Sequence, residues 1–412
     1  MSGITLHKRR STLADGPRCV DLFAGAGGLA VGFRQAGWSI ACANDMDSAA
    51  SETFRLNFPE TSFIEGAISL VCADDILRAS ALGRGELDCL IGGPPCQSFS
   101  HNNHKRNAID DRARLFEYYL TLVKRLRPKT LVMENVPGIL SIDNGQVVKA
   151  ILSSLSDQGY SVAYETLSAE LYGTPQARRR VFIVASRIGD AAELLPKPTH
   201  WSKFLDGLGR RKSERPEGAA KRIVTVGNAI GDLPDLENGG GTQVSGWQGT
   251  SATTEYQRFA RKGATALYNH VCHGLTKVNL DRIVCVPEGG NWRDIPRELL
   301  PAGMQRARLT DHTKRYGRLD RNGMASTLLT KCDPHWGAYV HPEQNRTISV
   351  REAARLQGFP DAFQFAGSNL GKMYQQVGNA VPVPLARAFG TAISDHLAKW
   401  TTESLKLQKD AA

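Results

Sequence analysis

No apolar run in the sequence approaches the ~20 residues that a membrane-spanning helix needs. Met1–Gly16 is too polar for a secretory signal peptide, and the eight cysteines include no CxxC pair and no even spacing. We therefore expect reduced thiols in a cytoplasmic protein, or in a nuclear one if the source is a eukaryote. With 41% apolar and 22% charged residues, the 412-residue chain is excluded from the disordered, collagen-like and disulfide-stapled classes.

Charge of one sign is in excess. Lysine and arginine number 51 against 41 acidic residues, so the formal net charge is +10. This excess favours a polyanionic partner, but spread over a chain of this length it is weak support by itself.

The first half of the chain alternates short apolar runs with amphipathic segments. The predicted strands are Cys19–Phe23, Ser39–Ala43, Leu87–Ile91, Thr130–Met133 and Arg180–Ala185, and the predicted helices include Leu29–Gln35, Ala49–Asn57, Arg114–Leu126 and Val147–Leu155. This alternation predicts an α/β fold with a doubly wound, parallel sheet. Ligands of such sheets bind beyond the carboxyl ends of the strands.

The alternation breaks near residue 198, and the chain is then irregular up to Pro342. It resumes with two amphipathic segments, Ser349–Gln357 and Pro382–His396, whereas Thr401–Ala412 is predicted to be frayed. We therefore predict an α/β domain over residues 1–197, a smaller and irregular domain over residues 198–342, and a C-terminal part, residues 343–412, that returns to the first domain.

The first predicted strand leads into a glycine-rich turn, Asp21-Leu22-Phe23-Ala24-Gly25-Ala26-Gly27-Gly28. Such a turn lets the backbone approach a nucleotide-like ligand, although a single match is often only tight packing. The second strand run leads to Asp45, which suits hydrogen bonding to ribose hydroxyls or, alternatively, capping of the next helix. Because Ala30 replaces the third glycine of the dinucleotide fingerprint, S-adenosylmethionine fits this pattern better than NAD.

The apolar run Leu87–Ile91 leads into Gly92-Gly93-Pro94-Pro95-Cys96, which presents a thiol on a stiff loop. Most free cysteines are small buried hydrophobes, but this one follows a strand end. Nearby basic side chains, including Arg106, favour the thiolate. The polar segment Ser98–Arg112 is predicted to be a lid that closes on a polyanion.

Two further motifs follow strand ends. Glu134, in Met133-Glu134-Asn135-Val136-Pro137-Gly138, brings a carboxyl group to the rim that carries the thiol, although a solvated loop acid would be the default reading. Beyond it, Arg178, Arg179 and Arg180 lead into a strand, whose alternation would put Arg178 and Arg180 on one face, suited to a phosphate or a base carbonyl.

Taken in order, the segments DLFAGAGG, GGPPCQSFS, MENVPG, YGTPQARRR and QQVGNAV resemble those of the DNA (cytosine-5) methyltransferases. The resemblance extends from about residue 18 to 398, except for the variable middle. It implies a Rossmann-like domain that uses S-adenosylmethionine and a smaller target-recognition domain. Of the two VGNA tetrapeptides, the one at Val377 fits the family better, and the one at Val226 is predicted to open a short helix.

The resemblance assigns the catalytic roles. Cys96 is similar to the nucleophile that adds to C6 of cytosine, Glu134 to the acid that protonates N3, and Arg180 to the arginine that holds the base, with Arg178 in support. Addition at C6 makes C5 carbanion-like, so that C5 can take a methyl group. Enzymes of this kind flip the target cytosine out of the duplex.

Cofactor contacts carry over from the family to Phe23, Gly25, Gly27, Asp45, Met46, Ile68, Pro95, Leu115 and Asn379. Two positions depart from the family pattern. Ala67 stands where an aspartate often touches the adenine, and Met46 stands where a tryptophan often covers it; Asp75 would replace that acid only if the loop were rearranged.

The variable region carries positive charge in short blocks, of which Gln305–Arg321 is the densest. Lysine and arginine position such proteins on phosphates, while a few side chains read bases. The predicted DNA contacts are Ser100, Arg106, Gln176, Arg306, Arg308, Arg318, Thr327 and Leu328. No metal is expected, because the cysteines and histidines of this region do not supply four ligands at finger-like spacing.

The resemblance implies a monomer that methylates double-stranded DNA, associated with the nucleoid in a bacterium, with a restriction endonuclease acting separately if one accompanies it. A tRNA methyltransferase is the alternative within the same chemistry. A non-catalytic DNA-binding regulatory relative is the alternative of another class.

Overall fold

The computed structural model describes residues 16–95, 115–202 and 217–410, which form two compact units. Unit 1 comprises Met1–Ser168, Arg179–Lys197 and Pro384–Ala412, and unit 2 comprises Ala169–Arg178 and Pro198–Val383. The prediction that the segment Ser349–Gln357 returns to the first domain is therefore wrong. The return begins at Pro384, because the arginines of this segment pair with acids of unit 2, as described below.

The strands, in chain order, are β1 Arg18–Leu22, β2 Ser39–Asp45, β3 Ser62–Glu65, β4 Cys89–Gly92, β5 Thr130–Asn135, β6 Ser161–Ser168, β7 Gln176–Ala177, β8 Arg179–Ser186, β9 His200–Trp201, β10 Lys221–Arg222, β11 Gly241–Ser245, β12 Leu267–Val271, β13 Gly317–Arg318, β14 Ala325–Ser326 and β15 Ala338–Val340. The helices are α1 Gly28–Gln35, α2 Ser48–Asn57, α3 Ala73–Ser80, α4 Leu115–Leu126, α5 Gln146–Asp157, α6 Val226–Ile230, α7 Glu255–Arg261, α8 Lys277–Val284, α9 Val350–Leu356, α10 Leu370–Asn379 and α11 Val383–Asp410. All bounds refer to the described residues.

Unit 1 is built on a seven-stranded sheet in the order β3-β2-β1-β4-β5-β8-β6. The neighbours from β3 to β5 are parallel, and β8 runs antiparallel to both β5 and β6. The central strands are buried on both faces, which explains their continuous apolar runs. The predicted α/β class is confirmed, and the carboxyl ends of β1, β2, β4 and β5 share one edge.

The last helix, α11, is longer than predicted and continues to Asp410, so the expectation of a frayed end from Thr401 is wrong. It packs closely on unit 1, because a Cβ atom on Gly32 would lie 2.4 Å from that of Ala386. The Trp38 indole N–H also donates to the carbonyl of Gly390 at 2.9 Å. Although α11 has 28 residues, neither it nor any other described helix is long and apolar enough to cross a membrane.

Charged side chains also fasten α11. The Glu193 carboxylate contacts His396 Nδ1 at 2.9 Å and Lys399 Nζ at 2.5 Å, and His396 Nε2 lies 2.9 Å from Ser186 Oγ. Hydrogen bonds from Lys399 and His396 lower the pKa of the exposed Glu193 carboxyl. The carboxylate therefore stabilises the fold only while it is ionised.

We expect the pH dependence of stability to reveal the contribution of the Glu193 contacts with His396 and Lys399. Because the pKa of Glu193 is lower in the folded state than in the unfolded state, its contribution is complete above the unfolded pKa and is lost as the pH falls through the folded pKa. The melting temperature of Glu193→Gln should lie below that of the wild type at neutral pH, and the two should converge in acid. A difference in melting temperature that stays constant with pH would contradict this role of Glu193.

Unit 2 is held by buried ion pairs and small two-stranded sheets rather than by one large sheet. On α9, the fully buried Arg355 donates to Asp232 and to Asp361, whose carboxylate oxygens lie 2.5 and 2.7 Å from its nitrogens. The neighbouring Arg346 makes two hydrogen bonds of 2.8 Å to Glu352, which keeps the pKa of that buried carboxyl well below its usual range. These pairs attach α9 to unit 2.

Replacing Arg355 with methionine should therefore strongly destabilise unit 2. The substitution leaves the buried Asp361 carboxylate without its main partner and removes one of the two arginines that pair with Asp232, and breaking a buried pair costs about 3–5 kcal/mol. Urea denaturation followed by tryptophan fluorescence measures the loss. Arg258→Met is the control, because Arg258 is exposed on α7, and equal midpoints for the two variants would contradict the assignment.

Candidate active site

The glycine turn after β1 is shaped by left-handed backbone. Phe23, Gly25 and Gly27 have φ values of 57°, 55° and 99°, which is unusual for the phenylalanine. A Cβ atom on Gly27 would lie 3.0 Å from the ring of Phe58, so glycine is required there by both φ and space. The turn ends at the N-terminus of α1, whose first backbone N–H groups have no partner within the helix.

Asp45 ties this turn to the end of β2. Its carboxylate accepts hydrogen bonds from Gly25 N at 2.7 Å and from Asp47 N at 2.8 Å. Burial raises the pKa of Asp45, and these N–H donors partly oppose that effect. The helix cap that the alternative interpretation gave to Asp45 belongs to Asp47, which accepts from Ala50 N.

A second carboxyl group lies below the turn and received no role from the sequence. Asp21 is fully buried on β1, and burial and the neighbouring Asp45 raise its pKa well above its usual range. The N–H of Ala30 in α1 opposes this shift. The only sequence signal was an acid inside an otherwise apolar strand.

The residue after Asp45 is apolar and exposed. Met46 is 72% exposed, so it is available to cover a flat ligand. Ile68 is 3% exposed and packs in the hydrophobic core, which contradicts a cofactor contact through its side chain. Asp75 caps α3 and pairs with Arg78 at 2.7 Å, so it does not take the place of an acid at Ala67.

The loop after β4 is shaped by close packing. A Cβ atom on Gly92 would lie 2.5 Å from the carbonyl oxygen of Leu22, and one on Gly93 would lie 3.0 Å from Glu134 Oε2. The Asn135 side-chain amide donates to the carbonyl of Pro94 at 2.8 Å. These contacts fix the course of the chain up to Pro95, the last described residue before the thiol.

Glu134 and Arg180 meet at the carboxyl edge of the sheet. In the antiparallel pairing of β5 with β8, Glu134 lies opposite Phe182, so Arg180, two residues earlier, is on the same face. Arg180 Nε lies 2.7 Å from Glu134 Oε1, and both side chains are almost buried, at 12% and 13% exposed. Arg180 Nη1 also donates to the carbonyl of Arg179 at 2.7 Å, which orients the guanidinium group.

Several predicted site residues have no described contact with the Glu134–Arg180 pair. Cys96, Ser100 and Arg106, with the expected lid, lie outside the described residues. Leu115 starts α4 and packs half-buried on the core, whereas Asn379 is exposed at the end of α10 in unit 2.

Arg178 differs from its prediction. β8 begins at Arg179, so strand alternation does not extend to Arg178, which belongs to unit 2. Its buried guanidinium donates to the carbonyls of Leu328 and Gly378 at 2.8 and 2.7 Å. Both terminal nitrogens of Arg178 are therefore engaged in a clamp within unit 2, which contradicts the predicted role beside Arg180.

The same clamp includes two predicted DNA contacts. Gln176 is fully buried, where it accepts from Leu328 N at 3.0 Å and donates to the carbonyl of Leu356. Leu328 is itself 3% exposed, so neither side chain is available to DNA, contrary to prediction. Thr327 is half-buried and donates to the carbonyl of Ala177.

Arg318 is also wrongly predicted as a DNA contact. Its guanidinium is buried and donates to the carbonyls of Val286, His341, Gln344 and Ile283 and to the side chain of Asn345. All of its nitrogens are thus used inside the fold. Arg306 and Arg308 are exposed, and their DNA contacts remain predictions.

Fold and site together define an α/β protein of the Rossmann-like methyltransferase class. A family model described as C-5 cytosine-specific DNA methylase matches residues 17–395, and the chain therefore belongs to that family. It is 32% identical to the type II methyltransferase M.AgeI of Thalassovita gelatinovora, covering 91% of this chain and 99% of that one. It is also 32% identical to DNA (cytosine-5)-methyltransferase 4 of Arabidopsis thaliana, covering 92% of this chain but 28% of the relative.

The plant relatives are much longer than this chain, which spans less than a third of their length. Among solved structures, one described as a prophage-encoded DNA modification methyltransferase (E. coli) superimposes with a TM-score of 0.67 at 24% identity, over 93% of this chain and 99% of that one. DNMT2 of Spodoptera frugiperda gives a TM-score of 0.54 at 15% identity over the same shares. These two likenesses show the fold.

Proposed function

We propose that the protein transfers a methyl group from S-adenosylmethionine to C5 of a cytosine flipped out of a specific sequence in double-stranded DNA. The observation that carries the proposal is the Glu134–Arg180 pair, held at 2.7 Å beside the loop that leads to Cys96. Family membership of the chain supports the same chemistry.

The edge of the sheet suits a nucleoside cofactor. The left-handed glycine turn gives close backbone approach, Asp45 offers a carboxylate to a ribose, and exposed Met46 offers an apolar surface to a base. S-adenosylmethionine supplies an electrophilic methyl group. Because Ala67 provides no carboxylate and Asp75 is engaged elsewhere, we expect the adenine to be held mainly by apolar contact.

The catalytic steps follow from the chemistry of the side chains. The Cys96 thiolate forms a bond to C6, while a proton reaches N3 from Glu134, so that C5 gains the electron density with which it attacks the methyl group. Arg180 orients Glu134 and holds the base. Loss of the C5 proton then re-forms the C5–C6 double bond and expels the thiolate.

The relative M.AgeI is named a type II methyltransferase, which supports a similar setting for this chain. We propose that it acts as a monomer in the cytoplasm on DNA of the nucleoid, and that any cognate restriction endonuclease is a separate protein.

Bisulfite sequencing of genomic DNA from cells that express the protein tests the function. We expect unconverted cytosines at one recurring short sequence, absent from cells that express the Cys96→Ala variant. Full conversion in both samples would overturn the proposal. Methylation of tRNA by the wild type instead would identify an RNA enzyme.

A further inference from the structure

We propose that Trp336 and Arg315 of unit 2 form a DNA-reading pair, in which Trp336 packs against bases of the recognised sequence and Arg315 neutralises an adjacent phosphate. The inference rests on the proposed function, because it names side chains with which the same protein would contact its DNA. Neither residue was singled out by the sequence motifs.

Trp336 differs from the other tryptophans of the chain. The structure describes all six, and Trp336 alone is left largely exposed, at 50% of its surface. By contrast, Trp292, in the same unit, is 3% exposed in a hydrophobic cluster. Tryptophan and arginine are enriched among the residues that carry most of the energy at binding interfaces, so an exposed tryptophan beside an arginine is a candidate for a partner contact.

The exposed indole stands on a stiff turn. Trp336 N and His335 N both donate to Asp333, at 2.9 Å to its carbonyl and 2.8 Å to its carboxylate. The Trp336 ring meets the His335 ring edge-on at 5.3 Å between centroids, and His335 in turn meets Tyr316 at 5.9 Å. A side chain that is already positioned loses little conformational freedom when it binds.

A cation accompanies the indole. The guanidinium carbon of Arg315 lies 5.4 Å from the centre of the Trp336 ring, within the range of a cation–π contact. Within the described part of the chain, Arg315 has no ion pair, and the nearby Asp311 and Asp333 carboxylates accept backbone N–H groups. The exposed Lys314 and Lys331 add positive charge.

Another cation–π pair in unit 2 shows the contrast. Arg261 lies 4.0 Å from the Trp247 ring, but its guanidinium also pairs with Asp232 at 2.7 Å and donates to Thr250. The charge of Arg261 is therefore paired within the fold, whereas the charge of Arg315 is available to a partner.

Nucleic acid is the partner that this chemistry favours. In a duplex, aromatic side chains make apolar contacts with base edges such as the thymine methyl group, and arginines pair with phosphates. Both types of side chain stand here with two further lysines. The exposed Leu329 and Lys331 continue the chain from the Thr327-Leu328 segment towards Trp336. An acidic protein would match the cations but would leave the aromatic side chain without a specific role.

The test measures binding of a 30-base-pair duplex that carries the sequence found by bisulfite sequencing, with a duplex lacking it for comparison. Trp336→Ala should weaken binding of the specific duplex about tenfold, which is comparable with the loss of one base contact in a duplex site, with little change in salt dependence. Trp336→Phe should largely restore affinity. Arg315→Gln should weaken binding of both duplexes and reduce the slope of log K against log salt by about one.

Matched controls separate these effects from general damage. Tyr164→Ala removes an aromatic side chain that is 49% exposed in unit 1, and Arg125→Gln removes an exposed charge from α4. Neither should change affinity, and melting temperatures should show that all variants fold. If Trp336→Ala does not fold, the salt dependence of Arg315→Gln tests the pair alone: a slope like that of the wild type would overturn it.

The outcomes distinguish this inference from the proposed function. If the wild type methylates DNA but Trp336→Ala and Arg315→Gln bind like the controls, the pair is overturned and the function stands. If the wild type methylates no DNA, the proposed function fails, and the inference about Trp336 and Arg315 fails with it. The pair would also be overturned if the two variants bind and methylate DNA like the wild type while only the wild type captures an acidic protein.

Discussion

Replacing Cys96 with alanine is expected to abolish methyl transfer while DNA binding is retained. Without the thiolate no bond forms at C6, and C5 of cytosine is then too weak a nucleophile to take the methyl group. Transfer of tritiated methyl from S-adenosylmethionine to duplex DNA measures the loss, and a gel-shift assay measures binding. With 5-fluorocytosine at the target, the fluorine cannot leave as a proton does, so the wild type should remain covalently attached.

The chain offers a matched control for this experiment. Cys72 is an exposed thiol whose Sγ lies 2.9 Å from the carboxylate of Asp75 at the start of α3. Cys72→Ala should transfer methyl groups normally and still form the covalent adduct. Near wild-type transfer by Cys96→Ala would refute the covalent mechanism.

Replacing Glu134 with glutamine is expected to lower the rate constant of methyl transfer by about 10²–10⁴-fold, the usual contribution of a positioned acid. Glutamine keeps the size of the side chain and can still accept from Arg180, but it cannot deliver the proton to N3. Single-turnover kinetics separate this loss from changes in binding.

Two comparisons complete this second test. Glu165→Gln removes an exposed carboxylate from β6 of the same sheet and should leave the rate unchanged. Gly93→Ala adds a methyl group 3.0 Å from Glu134 Oε2 and should slow transfer without removing the acid. A Glu134→Gln variant as fast as Glu165→Gln would exclude Glu134 from proton transfer.

The sequence predicted the centre of the sheet well and its edges poorly. The five predicted strands match β1, β2, β4, β5 and β8 closely, because strands buried on both faces read as continuous apolar runs. The two missed strands, β3 and β6, are the outermost ones. β3 has only four residues and β6 exposes Tyr164 and Glu165, so neither carries a strong apolar pattern.

The candidate site likewise contains residues that the sequence could place and residues that it could not. Residues at strand ends, such as Asp45 and Glu134, could be placed from the sequence because parallel strands end at one edge. The register that brings Arg180, but not Arg178, to Glu134 depends on where β8 begins, which a run of three arginines does not reveal. Likewise, a basic block does not tell a buried Arg318 from an exposed Arg308.

The clamp formed by Gln176 and Arg178 has a consequence for how the sequence of unit 2 can diverge. At Leu328 and Gly378 these side chains hold backbone groups, namely the N–H and carbonyl of Leu328 and the carbonyl of Gly378, and Gln176 also donates to the side chain of Gln357. Every amino acid supplies a backbone carbonyl and every one except proline supplies an N–H, so this anchor imposes few limits on the residue at position 328. The residue at position 328 can therefore change, as long as it is not proline, without loss of its backbone contacts with Gln176 and Arg178.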